Sequence, residues 1–369
     1  MNYTGVAKLS FYRGRVALSA ILKALDIGGG DHVAIQAFTC LAVPEGVLAT
    51  GAKPRYVDIE SDGYNMDPND LMAKITSQTR VIVVQHTFGI PARMDRIMEI
   101  AERAGLPVIE DCCHTLKSTY HGRLLGTYGV ASFYSYEWGK PIVVGLGGSA
   151  LVNDDSLRQR VDEAYPEYRN PSMLRRLKLE LQYRAFGLLY WPRLFWPVRT
   201  MFHTLSKLGA AEGNFNPVTA EGEVAEDFSL RMAPHLRRRL LRKLRQVDEH
   251  ARHSQLLTAQ YRSQIATPTV RHPEPSPGSE TVYARYPLRV QDKPGMLVRA
   301  RQRNVEMAEW YRTPVHPVSP EQLHLVDYEP GSCPNAETRA SEIVSLPTHG
   351  RVGQRYLNRI VDFLNGVPQ

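Results

Sequence analysis

Between residue 14 and about residue 153, two hydrophobic periods alternate along the chain. Val16, Ala17, Ala20, Ile21, Ala24 and Leu25 recur at helical spacing, and the run Gly28-Gly29-Gly30 ends that helix ahead of the strand-like HVAIQ at 32–36. The unit then repeats. RYVDI (55–59) and RVIVV (80–84) are β-rich runs separated by a helix that opens at Asp67-Pro68, where an N-cap carboxylate and a proline at the first helical position favour initiation. Met94 to Ala104 predicts another helix, followed by the strand PVIED (107–111). Strands alternating with helices of this length predict βαβ units, hence an α/β fold with a mainly parallel sheet between helices.

The pattern changes between about 165 and 225. The stretch 182–209 is dense in aromatics and leucine, is interrupted by Pro192 and Pro197, and carries Arg184, Arg193, Arg199 and Lys207. It is too broken to span a bilayer, and aromatics interleaved with cations suit either an interfacial element on anionic lipid or packing into a core or subunit interface. Residues 235–262 predict one long helix, with Leu236, Leu240, Leu244 and Val247 on one face and arginines elsewhere. After the proline-rich break at 272–278, the strand-like TVYARYPLRV, a helix near Lys293 to Arg303 and a terminal amphipathic helix around Tyr356 to Leu364 predict a smaller α+β unit. The expected division is therefore 1–164 (large domain), 165–225 (insertion), 226–271 (linking helix) and 272–369 (small domain).

Composition narrows the functional classes. With 369 residues, 43% of them hydrophobic and 22% charged, the chain can bury a large core and is neither disordered nor fibrous. A net charge of +7 suits acidic ligands such as phosphates, or an anionic membrane face, without demanding nucleic acid, and no nucleic-acid partner is expected. Cys40, Cys112, Cys113 and Cys333 lack metal spacing, so they are expected to be reduced thiols with no metal site. The first residues lack a secretory signal's apolar core, and no stretch reaches the roughly 20 apolar residues of a membrane span, so a cytoplasmic protein is expected.

In parallel sheets ligands bind beyond the carboxyl ends of the strands, which makes Asp111 and His86 candidate site residues, although a residue at a strand end is more often a cap on a helix or turn. The segment 130–154 places Lys140 between two strand-like runs and ahead of the glycines at 145, 147 and 148. A lysine in a partly buried setting loses its proton by desolvation and becomes a nucleophile toward an aldehyde.

In these residues the chain resembles the DegT/StrS-type nucleotide-sugar aminotransferases. The resemblance is carried by residues 14–31, 37–59, 83–95, 105–115, 121–140 and 147–154 in collinear order, and less strongly by 228–232, 310–316 and 333–347. It implies a large domain of fold-type I, with a mainly parallel sheet of the seven-stranded type between helices, binding pyridoxal 5'-phosphate, plus a smaller C-terminal α+β domain. Lys140 matches the Schiff-base lysine, and Asp111 the carboxylate that pairs with the pyridinium nitrogen. His114 stands where the family has a Gln or His near the phenolic oxygen, and Ser135 matches a phosphate-binding hydroxyl. Gly14 and Arg15 fall on the Gly-Thr phosphate turn at a helix start, with Arg15 replacing the small hydroxyl residue and either adding a charged contact or pointing away. Tyr311 and His316 match a Tyr/His pair near the substrate.

Three further positions depart from the pattern. Cys40 stands where an aromatic usually stacks on the cofactor ring, Leu146 replaces an acidic residue in the glycine turn, and Ser229 replaces an Asn that reaches the neighbouring subunit's phosphate. The implied activity is transfer of an amino group from an amino acid, by family expectation glutamate, to a keto sugar carried on a nucleotide, with pyridoxamine 5'-phosphate as the intermediate cofactor form. The implied partner is a second copy of the chain in a homodimer with shared active sites, and the implied setting is surface polysaccharide, glycolipid or secondary-metabolite biosynthesis. Peripheral membrane contact through 182–209 is a separate expectation. The alternatives are a dehydration or oxidation of a sugar or cyclitol on the same cofactor, and a non-catalytic relative of the fold.

Overall fold

The computed structural model describes residues 3–213 and 225–366. The chain opens with β1 (Leu9–Phe11), α1 (Gly14–Ala24), β2 (His32–Gln36), β3 (Thr39–Cys40), α2 (Ala42–Leu48), β4 (Lys53–Val57), α3 (Pro68–Lys74), β5 (Thr79–Gln85), α4 (Met94–Ala104) and β6 (Val108–Asp111). Two short strands, β7 (Thr119–Tyr120) and β8 (Arg123–Leu124), precede β9 (Ala131–Ser135), β10 (Gly148–Val152) and α5 (Asp155–Ala164). Next come the helices α6 (Met173–Leu189), α7 (Phe195–Lys207), α8 (Pro234–Leu244) and α9 (Val247–Gln264). The C-terminal part holds β11 (Val270–Arg271), β12 (Ser279–Glu280), β13 (Arg285–Val290), α10 (Lys293–Gln302), β14 (Val315–His316), α11 (Pro334–Glu342), β15 (Ile343–Pro347) and α12 (Gln354–Leu364).

The central sheet has seven strands in the order β1-β10-β9-β6-β5-β2-β4. From β9 to β4 every neighbouring pair is parallel, and β10 alone runs against the rest. The predicted mainly parallel α/β architecture is therefore present, and β13 between β11 and β15 forms the small antiparallel sheet of the C-terminal part. Local chemistry sets the helix starts: Asp67 accepts from Asn69 N–H ahead of Pro68, and Asp154 accepts from Leu157 N–H. The largest core runs without interruption from Leu9 on β1 to Leu364 on α12, so the central sheet and the C-terminal unit share one buried interior.

One helical expectation is corrected. The predicted single helix at 235–262 is two, because Gln246 leaves the helical conformation at φ −103° and ψ 14°. Leu236, Leu240 and Leu244 of α8 pack in a core with Val144 and Leu146, which Val247 and Ala251 of α9 also join, whereas Leu257 and Tyr261 further along α9 pack in the main core. In the insertion, the aromatic-rich stretch forms α6 and α7 joined by a short turn at Pro192–Leu194. Among the residues of these two helices only Leu179 is buried. Residues 214–224 of the predicted insertion lie outside the described residues.

Candidate active site

Parallel pairing aligns the carboxyl ends of three strands. Gln85 stands opposite Asp111, and Asp111 opposite Phe133, so β5, β6 and β9 present Gln85, Asp111 and Ser135 at one edge of the sheet. The amino end of α1 faces that edge. A methyl group on Gly14 would stand 3.2 Å from Ser135 Cβ and 3.3 Å from the carbonyl oxygen of Tyr134. Gly148 allows this approach, since a methyl there would lie 2.3 Å from the main chain of Arg13. Glycine at both places thus brings the unpaired first-turn N–H groups of α1 against β9. Parallel pairing of β14 with β3 sets His316 beside Cys40 and carries Tyr311 and Trp310 over the same edge.

A narrow cavity results, and nine of the ten predicted site residues line it: Gly14, Arg15, Cys40, Asp111, His114, Ser135, Lys140, Tyr311 and His316. Asp111 is buried, and its Oδ1 accepts from Cys113 N–H at 2.9 Å. Burial pushes its carboxyl upward, opposed by the Cys113 hydrogen bond and by the charge of Lys140. It makes no ion pair among the described residues. Lys140 is half-buried, with Nζ 3.0 Å from His114 Nε2 and 5.4 Å from the centre of the Trp310 ring. Phe88 N–H donates to His114 Nδ1 at 3.2 Å. Burial, with Lys140 beside it, holds His114 well below the usual histidine range, so the ring is neutral. A neutral ring that accepts on Nδ1 carries its proton on Nε2, which then donates to Nζ.

Tyr311 is buried, and burial raises its hydroxyl well above the ordinary range. His316 is buried as well; Arg312 N–H donates to its Nδ1, and desolvation lowers it to about 3. Cys40 brings no ring to the cavity, and burial pushes its thiol up to about 11. The rings come instead from His114 and Trp310, stacked 5.5 Å apart at 8°, with Tyr311 and Trp138 beside them.

Arg15 points away from the mouth of the cavity. Its guanidinium donates to Glu45 at 2.6 Å and to Asp227 at 2.7 Å, leaving only Nε without a partner. Arg13, which the sequence pattern did not single out, sits beside it and donates to Asp227 and Glu137. The charge of both arginines is therefore spent on carboxylates of this chain. Ser229 does not line the cavity; its hydroxyl donates to Glu226 O and accepts from Arg169. Asp227, two positions earlier, is the residue of that segment that reaches the site, and nothing in the local pattern distinguished it. Leu146, in place of an acidic residue, is buried against the α8 core.

His86 is buried outside this cavity. Ala92 N–H donates to its Nδ1, and its Nε2 meets Glu110 at 3.1 Å. His86, Glu110 and Cys112 are close enough to hold a metal, yet Glu110 already accepts from the N–H groups of Gly126, Tyr128 and Gly129. This cluster holds the 126–129 turn, the capping reading of a strand-end residue. In the cavity, by contrast, a flat group with a cationic nitrogen and an anionic end finds complementary partners. Asp111 offers an unpaired buried carboxylate, Lys140 an amine, and the start of α1 with Ser135 an anion seat whose hydroxyl has no partner among the described residues.

Comparison with known proteins gives the arrangement a context. The model of the DegT/DnrJ/EryC1/StrS aminotransferase family matches residues 2–190 and 202–365. GDP-perosamine synthase of Escherichia coli O157:H7 is 38% identical over 147 residues, which is 40% of this chain and 40% of that protein. The dTDP-3-amino-3,6-dideoxy-alpha-D-galactopyranose transaminase of Aneurinibacillus thermoaerophilus is 27% identical over 353 residues, covering 95% of this chain and 83% of that one. The crystal structure of S. venezuelae DesV superposes with a TM-score of 0.73 at 23% identity, over 97% of this chain and 84% of that one. The strongest sequence matches thus span about two fifths of the curated relatives' length.

Proposed function

The chain belongs to the DegT/DnrJ/EryC1/StrS aminotransferase family, and from that premise we propose that it is a pyridoxal phosphate-dependent aminotransferase that aminates a keto sugar, with an amino acid such as glutamate as donor. A nucleotide carries the sugar in this reading, as in the names of the relatives. The observation that carries it is the buried, unpaired carboxylate of Asp111 facing the same cavity as the Lys140 amine. An ionised carboxylate with no cation beside it costs several kcal/mol of desolvation, and a protonated pyridine nitrogen compensates that cost.

When bound, the cofactor supplies a reactive aldehyde carbon and an electron sink. The chain's own residues do the rest. Asp111 fixes the charge on the ring nitrogen. Gly14 leaves room for the phosphate at the start of α1, where the first-turn N–H groups and the Ser135 hydroxyl receive it. Arg13 and Arg15, tied to Asp227, hold that turn in place without spending charge on the anion. Lys140 Nζ is the nucleophile and the proton carrier between substrate carbon and cofactor, and His114, 3.0 Å away, positions it. Tyr311 and His316 close the substrate side.

The visible absorption spectrum of the purified protein tests this reading. A cofactor band that borohydride fixes to Lys140, and that glutamate bleaches, is the expected result, followed by turnover in a panel of nucleotide-linked keto sugars. Protein that never takes up the cofactor overturns it. A homodimer with shared sites belongs to the same proposal and is checked by light scattering. No helix among the described residues is long and apolar enough to cross a membrane. Peripheral contact with an anionic bilayer, in a cytoplasmic setting, is favoured by Leu188 and Trp191, both exposed beside Arg193. Flotation with anionic liposomes, lost in Trp191→Asp, checks it.

A further inference from the structure

A second, larger cavity of about 1190 Å3 opens from the reaction cavity. The two share Trp138, Lys140, Trp310 and His316, so anything held in the larger space touches the groups around the amine. Its outer wall is α6 and α7. Leu174, Leu177, Leu181, Leu189, Met201 and Leu205 all line it, and all are exposed. Helices that leave a row of large apolar side chains in water must have that surface covered to offset the cost.

The wall is nevertheless firmly attached. The Trp138 and Phe186 rings lie 4.2 Å apart, Trp196 Nε1 donates to Val305 O at 2.8 Å, and Arg351 donates to the carbonyl oxygens of Gly187 and Tyr190. The groove is therefore a fixed surface of the chain rather than a loosely packed appendage. The opposite wall, from α8 and α9, is polar and includes Lys243, His250 and His253. Lys243 has no hydrogen-bond or ion-pair partner among the described residues, and its Nζ lies 5.9 Å from the centre of the Tyr183 ring.

We propose that this groove binds a long hydrocarbon chain carried by the acceptor substrate, with the keto sugar at Lys140, an anionic link near Lys243, and the chain along α6 and α7. The inference rests on the aminotransferase reading and names its substrate class: an amphiphile in place of, or in addition to, a nucleotide-linked sugar. Three observations select this occupant. The groove is continuous with the reaction cavity, which a surface for an unrelated protein need not be. One wall carries six large apolar side chains along α6 and α7, among the polar Lys178, Gln182, Arg199 and His203, and the 17 residues of α6 span about 25 Å. The other wall offers the Lys243 ammonium, which has no ion-pair partner among the described residues.

Titration calorimetry of the cofactor-loaded protein with hexyl, octyl and decyl phosphate, each below its micelle concentration, tests the proposal. Each buried methylene tightens binding about fourfold, so decyl phosphate is expected to bind at least tenfold tighter than hexyl phosphate. Phe186→Asp and, at an exposed position where folding is not at stake, Leu181→Asp remove that gain. Leu256→Asp, at an exposed leucine of α9 outside the groove, leaves it intact. Affinity that does not change with chain length, or a gain that survives Leu181→Asp, overturns the proposal. So does an absence of binding in a dimer whose second copy covers the groove. Glutamate bleaching of the cofactor band is read on the same samples. Its failure sinks the aminotransferase reading while the chain-length series still reports on the groove.

Discussion

Around the reaction cavity polar side chains are buried and most are paired. Arg13, Arg15, Glu45, Glu137 and Asp227 form one network, and His114 is held between Phe88 N–H and Lys140. Along the adjoining groove large apolar side chains of α6 and α7 are exposed, while polar groups such as Arg199 and Gln182 are engaged with Glu309 and Glu212. The first region invests stability in fixing a few atoms, and single changes there are costly. The second depends on shape and apolar area, and single changes leave the fold alone while altering what binds. If the contrast is right, substitutions in the two regions separate cleanly into those that damage chemistry or folding and those that damage only recognition.

Lys140→Ala produces the largest effect. Losing the proton carrier alone lowers the rate of the glutamate half-reaction by roughly 10²–10⁴-fold. Stopped-flow absorbance checks this, and a loss of less than tenfold would move the catalytic role elsewhere. Arg15→Met comes next, now in stability. Glu45 is left without a cation, and buried Asp227 keeps only Arg13 of its two guanidinium partners. Removing one partner of such a pair costs about 3–5 kcal/mol, read by urea unfolding. A cost below about 1 kcal/mol would show that the network rearranges and is less fixed than its distances suggest.

This contrast also explains what was legible beforehand. The βαβ run follows from periods a few residues long and Asp111 from a general rule about strand ends, which also picked the capping residue His86, whereas Ser135 came from the family resemblance and Lys140 from its place between two strand-like runs together with that resemblance. Strand-like runs such as HVAIQ and helix starts such as Asp67-Pro68 carry that information locally. The Arg15–Asp227 pair joins residues more than two hundred positions apart, and no local period encodes it. Asp227, on the same 3-10 helix as Ser229, holds Arg13 and Arg15 through tertiary contacts that no local pattern encodes. The break between α8 and α9 escaped because burial continues across Gln246: Val247 and Ala251 beyond it still pack in the core of α8. Exposed leucines on α6 and α7 were visible as density of apolar residues, but that density is the same whether the residues face a core, a membrane or a groove.

A smaller effect separates the substrate end of the cavity from the rest. Burial lowers His316 to about 3, against about 6.5 in an unfolded chain. The nearby charged groups are Glu309, Arg312, Lys293 and Arg199, and Glu309 itself is held down to about 2, so it stays ionised throughout the window concerned. A depressed folded value means that the stabilisation is present above about pH 6.5 and is lost as pH falls from there toward about 3. The slope reaches about 1.4 kcal/mol per pH unit for one proton. His316→Asn is expected to flatten the pH dependence by that one proton between about pH 6 and 4. Because His114 is left in place, the difference between the two curves reports His316 alone. Identical slopes in urea titrations would mean that the imidazole is hydrated in solution.

The smallest effect is the one that most sharpens the comparison. Leu181 is 58% exposed, so Leu181→Ser removes little buried apolar area and is expected to change stability by no more than about 0.5 kcal/mol. The glutamate half-reaction, which needs only the inner cavity, keeps its rate. If instead the substitution costs more than 1 kcal/mol, Leu181 is covered in solution by a second copy of the chain, and the cost should then depend on protein concentration. A loss that is independent of concentration would mean that α6 packs more closely on the body than its exposed leucines indicate, and the groove would cease to be a region distinct from the core beside it.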